Sequence, residues 1–374
     1  MAPRSPHATV RASAGPAALA VTAPVAAAAA AVALALLVPG CGAAPAASAA
    51  GAAGWRALDL PPPLARLLDE GSWDATPASF RIVTLSLLAD SCAAAAADDA
   101  ARPAARACVE RARALAVRTR ADATHPGDAA DGMWWSHFNL ILGDADAVGP
   151  CADPTLHRAV AAALARRALA EPTHHVPSYA DLAYRWPADM TATLASLVRY
   201  DRAHGADLSV EPARAWRTWM LANAMDATLG LPWSEATGAA TGARDPRGCA
   251  LSFETRYLAE VDLPLARDWW DRYKESYLVD RVALVGFREW PPGRDGGSDG
   301  DSGPIVEGVG AAATAFAIAA ARAMGDGFLA TRLEATGALV GLAARRDPAM
   351  AKAAETALAE AVLLAGRSTR AAVP

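Results

Sequence analysis

Residues 186–204, WPADMTATLASLVRYDRAH, decide how this chain is to be read. Pro187 sits where a helix can begin, because the first turn needs no backbone donor. Asp189 falls in that same turn, where the helix dipole favours a carboxylate. The stretch therefore predicts a helix over 187–204. The same punctuation recurs at Pro77, Pro103, Pro154, Pro212, Pro264, Pro304 and Pro348, with Thr76, Asp153 and Asp347 standing as capping types directly before a proline. Strand signals are scarce. Starts and stops give about twelve helices, near 58–70, 77–98, 102–120, 133–144, 154–170, 187–204, 211–228, 249–261, 264–280, 304–324, 326–346 and 348–366.

Alternate helices form a series, beginning near 77, 133, 187, 249 and 304. The interval of roughly 55–60 residues is one helical hairpin with its loops, and a repeat on that scale means stacked units sharing a core. Most members end in an acid before a short link: Asp144, Asp201, Asp262 and Asp326. Six hairpins of similar length predict an all-α (α/α)6 toroid over 56–370, with an open α-solenoid as the alternative.

The bulk composition fits a globular chain, at 53% hydrophobic and 20% charged residues. The net charge of −5 and the lack of a Lys/Arg-rich run argue against nucleic acid as a partner. No charged side chain occurs between Arg11 and Arg56. Arg4 and Arg11 precede an apolar run from about Ala17 to Val38, the layout of an export signal. It ends in Val38-Pro39-Gly40-Cys41, which resembles the bacterial lipobox, so Cys41 is the expected lipid attachment site. Pro39 departs from the usual residue there. The alternatives are an uncleaved anchor helix spanning 1–40 or a soluble secreted form. Residues 41–55 read as a flexible tether.

The long links, 121–132, 171–186, 229–248 and 281–303, all precede the alternate helices. If those helices line the inside, the links gather at one mouth. There the sequence offers Trp134, Trp135, His137 and Asn139, then Tyr184, Trp186 and Asp189. Arg247 and Cys249 follow, then Glu289, Trp290, Asp295, Asp299 and Asp301. Trp faces beside acids and Arg suit sugars, which carry polar edges and an apolar face. Asp189, Glu289 and Asp301 are the candidate acid and base, with Glu289 first as the acid because Phe287 and Trp290 flank it. The bland readings are core-capping tryptophans, a helix-capping Asp189 and solvated loop acids. His174-His175 lacks partners at ligand spacing, and the Asp295/Asp299/Asp301 spacing misses the EF-hand pattern, so no metal and no cofactor is expected. Gly308-Val309-Gly310 is placed inside a helix, easing close packing.

Cys92 and Cys108 lie at equal depth on either side of a turn near residue 100, so antiparallel helices predict a disulfide between them. Cys249, at a helix N-terminus beside Arg247, is expected to have a lowered pKa, with a small buried thiol as the alternative.

Tyr184-Arg185-Trp186-Pro187-Ala188-Asp189, Arg247-Gly248-Cys249-Ala250-Leu251-Ser252, Gly286-Phe287-Arg288-Glu289-Trp290-Pro291 and Asp301-Ser302-Gly303-Pro304 resemble motifs of an uncharacterised bacterial lipoprotein family. The likeness covers roughly 130–325. Its architecture is similar to six-hairpin glycosidases and to linalool dehydratase/isomerase, which implies a fold and no particular activity. Three functions compete. The first is an extracytoplasmic carbohydrate-active hydrolase or lyase. The second is a dehydratase or isomerase on a small apolar alcohol, using Cys249, Tyr184 and His137. The third is a non-catalytic envelope protein binding a glycan or a partner.

Overall fold

The computed structural model describes residues 54–373, apart from 150–152, 239–243, 282–283, 295 and 345–355. The expected export signal, the lipobox with Cys41, nearly all of the tether, and Cys151, Asp295 and Pro348 lie outside the described residues. Twelve α-helices are described: α1 (Pro62–Glu70), α2 (Arg81–Ala95), α3 (Arg102–Arg118), α4 (Gly132–Val148), α5 (Pro154–Ala170), α6 (Pro187–His204), α7 (Val210–Asn223), α8 (Gly248–Val261), α9 (Leu263–Tyr277), α10 (Ala311–Ala323), α11 (Gly327–Ala344) and α12 (Ala357–Ser368).

The even helices close a ring. Each packs on the even helix before it, and α12 returns to α2, so the chain is a toroid and not an open solenoid. The odd helices lie outside, α3 against α2 and α4, α5 against α4 and α6, α9 against α8, and α11 against α10. Composition explains the sorting. In α4 every residue from Gly132 to Ala145 is buried, as a helix that is apolar nearly all round requires. The outer α9 buries Trp269, Trp270, Tyr273 and Tyr277 on one side, and its charges take the other. By length and composition Ala78–Ala95 can cross a membrane. Most of it is α2, buried here in the ring.

Two of the acids that close the even helices have a second task. Asp262 accepts from Leu265 N (3.1 Å) and Asp326 from Leu329 N (3.3 Å), so each caps the outer helix that follows. Asp153 caps α5 the same way. Such caps are each worth about 1 kcal/mol. Cys92 and Cys108 are disulfide-bonded between α2 and α3, closing a loop of 16 residues, which contributes about 3 kcal/mol. Trp55 is buried in the core, so the folded domain begins before Arg56, within the stretch read as tether.

The sequence reading fails between α9 and α10. The ninth helix stops at Tyr277 rather than 280, and the tenth begins at Ala311 rather than Pro304. Two short antiparallel hairpins fill the interval: β1 (Leu278–Asp280) with β2 (Val285–Phe287), and β3 (Ile305–Val306) with β4 (Val309–Gly310). Gly308 is therefore a turn residue, with φ of 81°, and not a helix-packing glycine.

Charged pairs bridge the end of the ring away from the long loops, here called the closed end, and line a cleft of about 830 Å³ there. Arg199 on α6 holds Glu260 of α8 (2.7 Å), Asp144 of α4 (2.8 Å) and Asp90 of α2 (3.0 Å). Arg256 of α8 reaches Asp90 across the ring (2.9 Å). Above this plug lies an aromatic layer. His137 of α4 meets Phe253 and Tyr257 of α8 at 5.9 and 6.3 Å, and Phe253 meets Phe316 of α10 at 5.3 Å.

Candidate functional site

The N-termini of α4, α6, α8 and α10 and the long loops share the opposite end, called the open end because no such charged network crosses the ring there among the described residues. Backbone contacts seat the loops on the helices. Gly132 N donates to Pro177 O (2.7 Å) and Gly248 N to Glu289 O (2.8 Å). A Cβ on Gly248 would stand 2.0 Å from Arg288 O, so only glycine lets this loop lie so close. The outer helix α9 helps from below, where Tyr273 and Tyr277 donate to Gly248 O (2.9 Å) and Pro246 O (2.5 Å).

Asp189 sits in the first turn of α6. The residue is half-buried, but its Oδ2 is sealed from solvent with no partner among the described residues. Burial first pushes its pKa up to about 7; Ser178 opposes this by hydrogen bonding, and Asp301 and Asp131 add repulsion. The Tyr179 phenol is raised by burial and then by Asp189, Asp301 and Asp131. Three segments far apart in sequence, around Asp131, 178–189 and Asp301, thus come near one another.

Glu254, in the middle of α8, was missed by sequence reasoning. It is 1% exposed, and neither carboxyl oxygen has a partner among the described residues. Burial, then repulsion from Asp189, raises it well above the ordinary carboxylate range. The signal was present, since Leu251, Glu254 and Leu258 share one helical stripe, and an acid on an apolar stripe is a flag. His137 is also sealed. Its Nδ1 pairs with Ser86 Oγ (2.6 Å), its Nε2 is unpartnered, and burial pushes its pKa down to about 3, leaving a neutral ring. Asn139 gives its amide to Ser196 Oγ (3.0 Å) and leaves its oxygen unpartnered.

Glu289 has a different surrounding. Its side chain is fully buried, and Arg247 Nε donates to Oε1 (2.9 Å), Cys249 N to Oε2 (3.2 Å) and Cys249 Sγ to Oε1 (3.1 Å). A Cβ on Gly310 would meet Oε2 at 2.9 Å, so this glycine makes room for the carboxylate. Burial raises Glu289, but Cys249 and Arg247 both pull against it. Arg247 continues to Asp299 (2.8 Å) and lies 4.9 Å over the Trp290 ring. Glu289 therefore ties the start of α8 to the loop after β2, and burial still leaves its carboxyl above its ordinary value. The Cys249 thiol follows the buried reading and not the lowered-pKa one. Burial, and next the Glu289 charge, push its pKa well up, outweighing Arg247.

The aromatics divide. Tyr184 stacks on Trp186 (5.7 Å), and Tyr179 meets Trp186 edge-on (5.5 Å), all three partly exposed beside Asp189. Trp134 and Trp135 are instead buried, with Arg120 5.1 Å over each ring and Trp134 Nε1 donating to Thr119 Oγ1 (3.1 Å). They pack toward α3. Asp301 is on the exposed rim. His175 is buried and accepts from Trp216 Nε1 (3.0 Å), a structural role.

No protein-family model matches this chain, and no curated protein matches it either.

Proposed function

We propose that the open end of the toroid is an acid–base active site for a hydroxyl-rich substrate, with a carbohydrate as the leading class. One observation carries the reading: two carboxyls, half-buried Asp189 and fully buried Glu254, have no cation beside them, carry orphaned oxygens and are raised in pKa. A structural acid is normally paired or solvated, since an unpartnered buried polar group is costly. Raised carboxyls at a mouth are what proton transfer near neutrality requires. Glu254, held protonated, gives its proton to the leaving glycosidic oxygen as the C–O bond breaks. Asp189, ionised in a large fraction of molecules near pH 7, takes a proton from the attacking water, whose oxygen bonds to the anomeric carbon. The Tyr184–Trp186 stack supplies an apolar face for the sugar ring. The raised Cys249 thiol makes a poor base near neutral pH, so a dehydratase or isomerase at this site would have to use it as a proton donor.

Asp189→Asn keeps the shape and removes the titrating proton. With oligosaccharides bound and cleaved by the wild type, the variant should lose on the order of 10²–10⁴-fold in kcat with Kd little changed. Full turnover by the variant ends the assignment. Binding without cleavage by the wild type points to the non-catalytic reading. In the same proposal the toroid is exported and held at a membrane through a lipid on Cys41. A fatty-acid probe should label wild-type cells and not Cys41→Ser; equal labelling of both removes that part.

A further inference from the structure

Far from the mouth, three side chains turn toward one point. Asp146 lies in the last turn of α4, His157 in the second turn of α5, and His204 ends α6. Their candidate ligand atoms all lie within 4.8 Å of one another. His157 Nδ1 and His204 Nε2 stand 2.7 and 2.8 Å from the same Asp146 Oδ2, and 3.3 Å from each other.

We propose that Asp146, His157 and His204 form a binding site for a divalent first-row transition metal, with zinc as the fitting ion. The ligand chemistry is right, since imidazole and carboxylate suit zinc and imidazole is a poor partner for magnesium or calcium. The geometry is close as well. Bonds of 2.0–2.1 Å in a tetrahedron put neighbouring ligand atoms about 3.3 Å apart. The two ring nitrogens already have that spacing, and the carboxylate oxygen needs to withdraw by only about half an ångström. The rings are preset. Tyr200 meets His157 at 4.8 Å and His204 at 4.5 Å, and His157 is fully buried. Two helix C-termini, those of α4 and α6, turn their negative ends toward the cation. His204 is exposed, which leaves the fourth position to water. Three helices tied at one point make this ion a clamp on the closed end, distinct from the acids at the mouth.

The test uses full-length protein without a polyhistidine tag, stripped with chelator and titrated with Co²⁺ and then Zn²⁺. The expected results are one equivalent of cobalt with a tetrahedral absorption spectrum, its displacement by zinc, and a melting temperature raised by zinc but not by Ca²⁺. His204→Ala, an exposed site, should fold as the wild type does in chelator and bind zinc at least ~100-fold more weakly; Asp146→Asn should do likewise. Failure of wild-type protein to take up either metal overturns the site. So does equal affinity in His204→Ala, which would place the ion elsewhere.

Discussion

The two ends of the ring hold buried ionisable groups on the same helices, in opposite condition. At the closed end, Asp90, Asp144 and Glu260 face Arg199 and Arg256, with contacts of 3.0 Å or less. Glu260 is buried, which alone would raise it, yet the two guanidiniums hold it far below the usual range. At the open end, Asp189 and Glu254 have burial without a cation, and both rise. Asp189 and Arg199 are ten residues apart on α6, roughly 15 Å along the helix. One helix thus carries a satisfied group at its foot and an unsatisfied one at its head. A countercharge does not sort the acids by itself: Asp144 pairs with Arg199, yet burial raises it well above the ordinary range and its Oδ2 has no partner among the described residues, whereas Glu260, held by two guanidiniums, is lowered.

The sharpest way to break that contrast is at the closed end. Arg199→Met leaves three acids facing one remaining guanidinium. Removing one partner of a buried network costs about 3–5 kcal/mol. Urea denaturation should show a loss of that size with an unchanged m-value. A loss under about 1 kcal/mol would mean the plug is solvated and the two ends are alike.

The open end should show the reverse sign. The folded Asp189 carboxyl titrates at about 7 against an ordinary 3.8, so the native state keeps a proton that the unfolded chain gives up. Its destabilising effect is absent below about pH 4, grows through the interval and is complete above about pH 7. Asp189→Asn removes it. The variant should match the wild type at pH 4 and exceed it at pH 8, by on the order of 2–3 kcal/mol after allowing for the partial exposure of the residue. Thermal melts of both proteins across that range check it; parallel curves would show that the carboxyl is ordinarily solvated.

Legibility in the sequence followed locality. Proline and capping acids act within one turn, so ten of the twelve helices could be placed to within about five residues from neighbours alone, α5 and α6 to the residue; α10 begins at Ala311 and not near 304, and α12 at Ala357 and not near 348. Strands of two or three residues, as in β1 to β4, carry no period to read. Glu289 looked like a free acid because Phe287 and Trp290 are its neighbours in sequence. Its real partners, Arg247 and Cys249, lie about forty residues away and arrive only when the loop folds over α8. Asp90 and Arg256, 166 residues apart, meet only because the ring closes. Which buried acid finds a cation is thus a property of the closed ring, and Glu254 could be flagged from its stripe but not told apart from Glu260.

The smallest effect tests which aromatics belong to the open end. Trp134 was expected to face a ligand, and its position at the start of an inner helix made that reasonable. In the structure its Nε1 is spent on Thr119 Oγ1 of the α3 side, its ring lies beside Phe138 at 4.9 Å, and Arg120 covers it while pairing with Asp131 (2.7 Å). Trp134→Phe keeps most of the ring area and deletes one hydrogen bond, so stability should fall by about 1 kcal/mol. Ligand affinity should be unchanged. Trp186→Ala, which removes the ring stacked on Tyr184, should weaken oligosaccharide binding while costing less stability than a core substitution, because that ring is only partly buried. Isothermal titration on the two variants separates the roles. If Trp134→Phe loses affinity and Trp186→Ala does not, the ligand wall lies on the α3–α4 side, and the acids around Asp189 are not its chemistry.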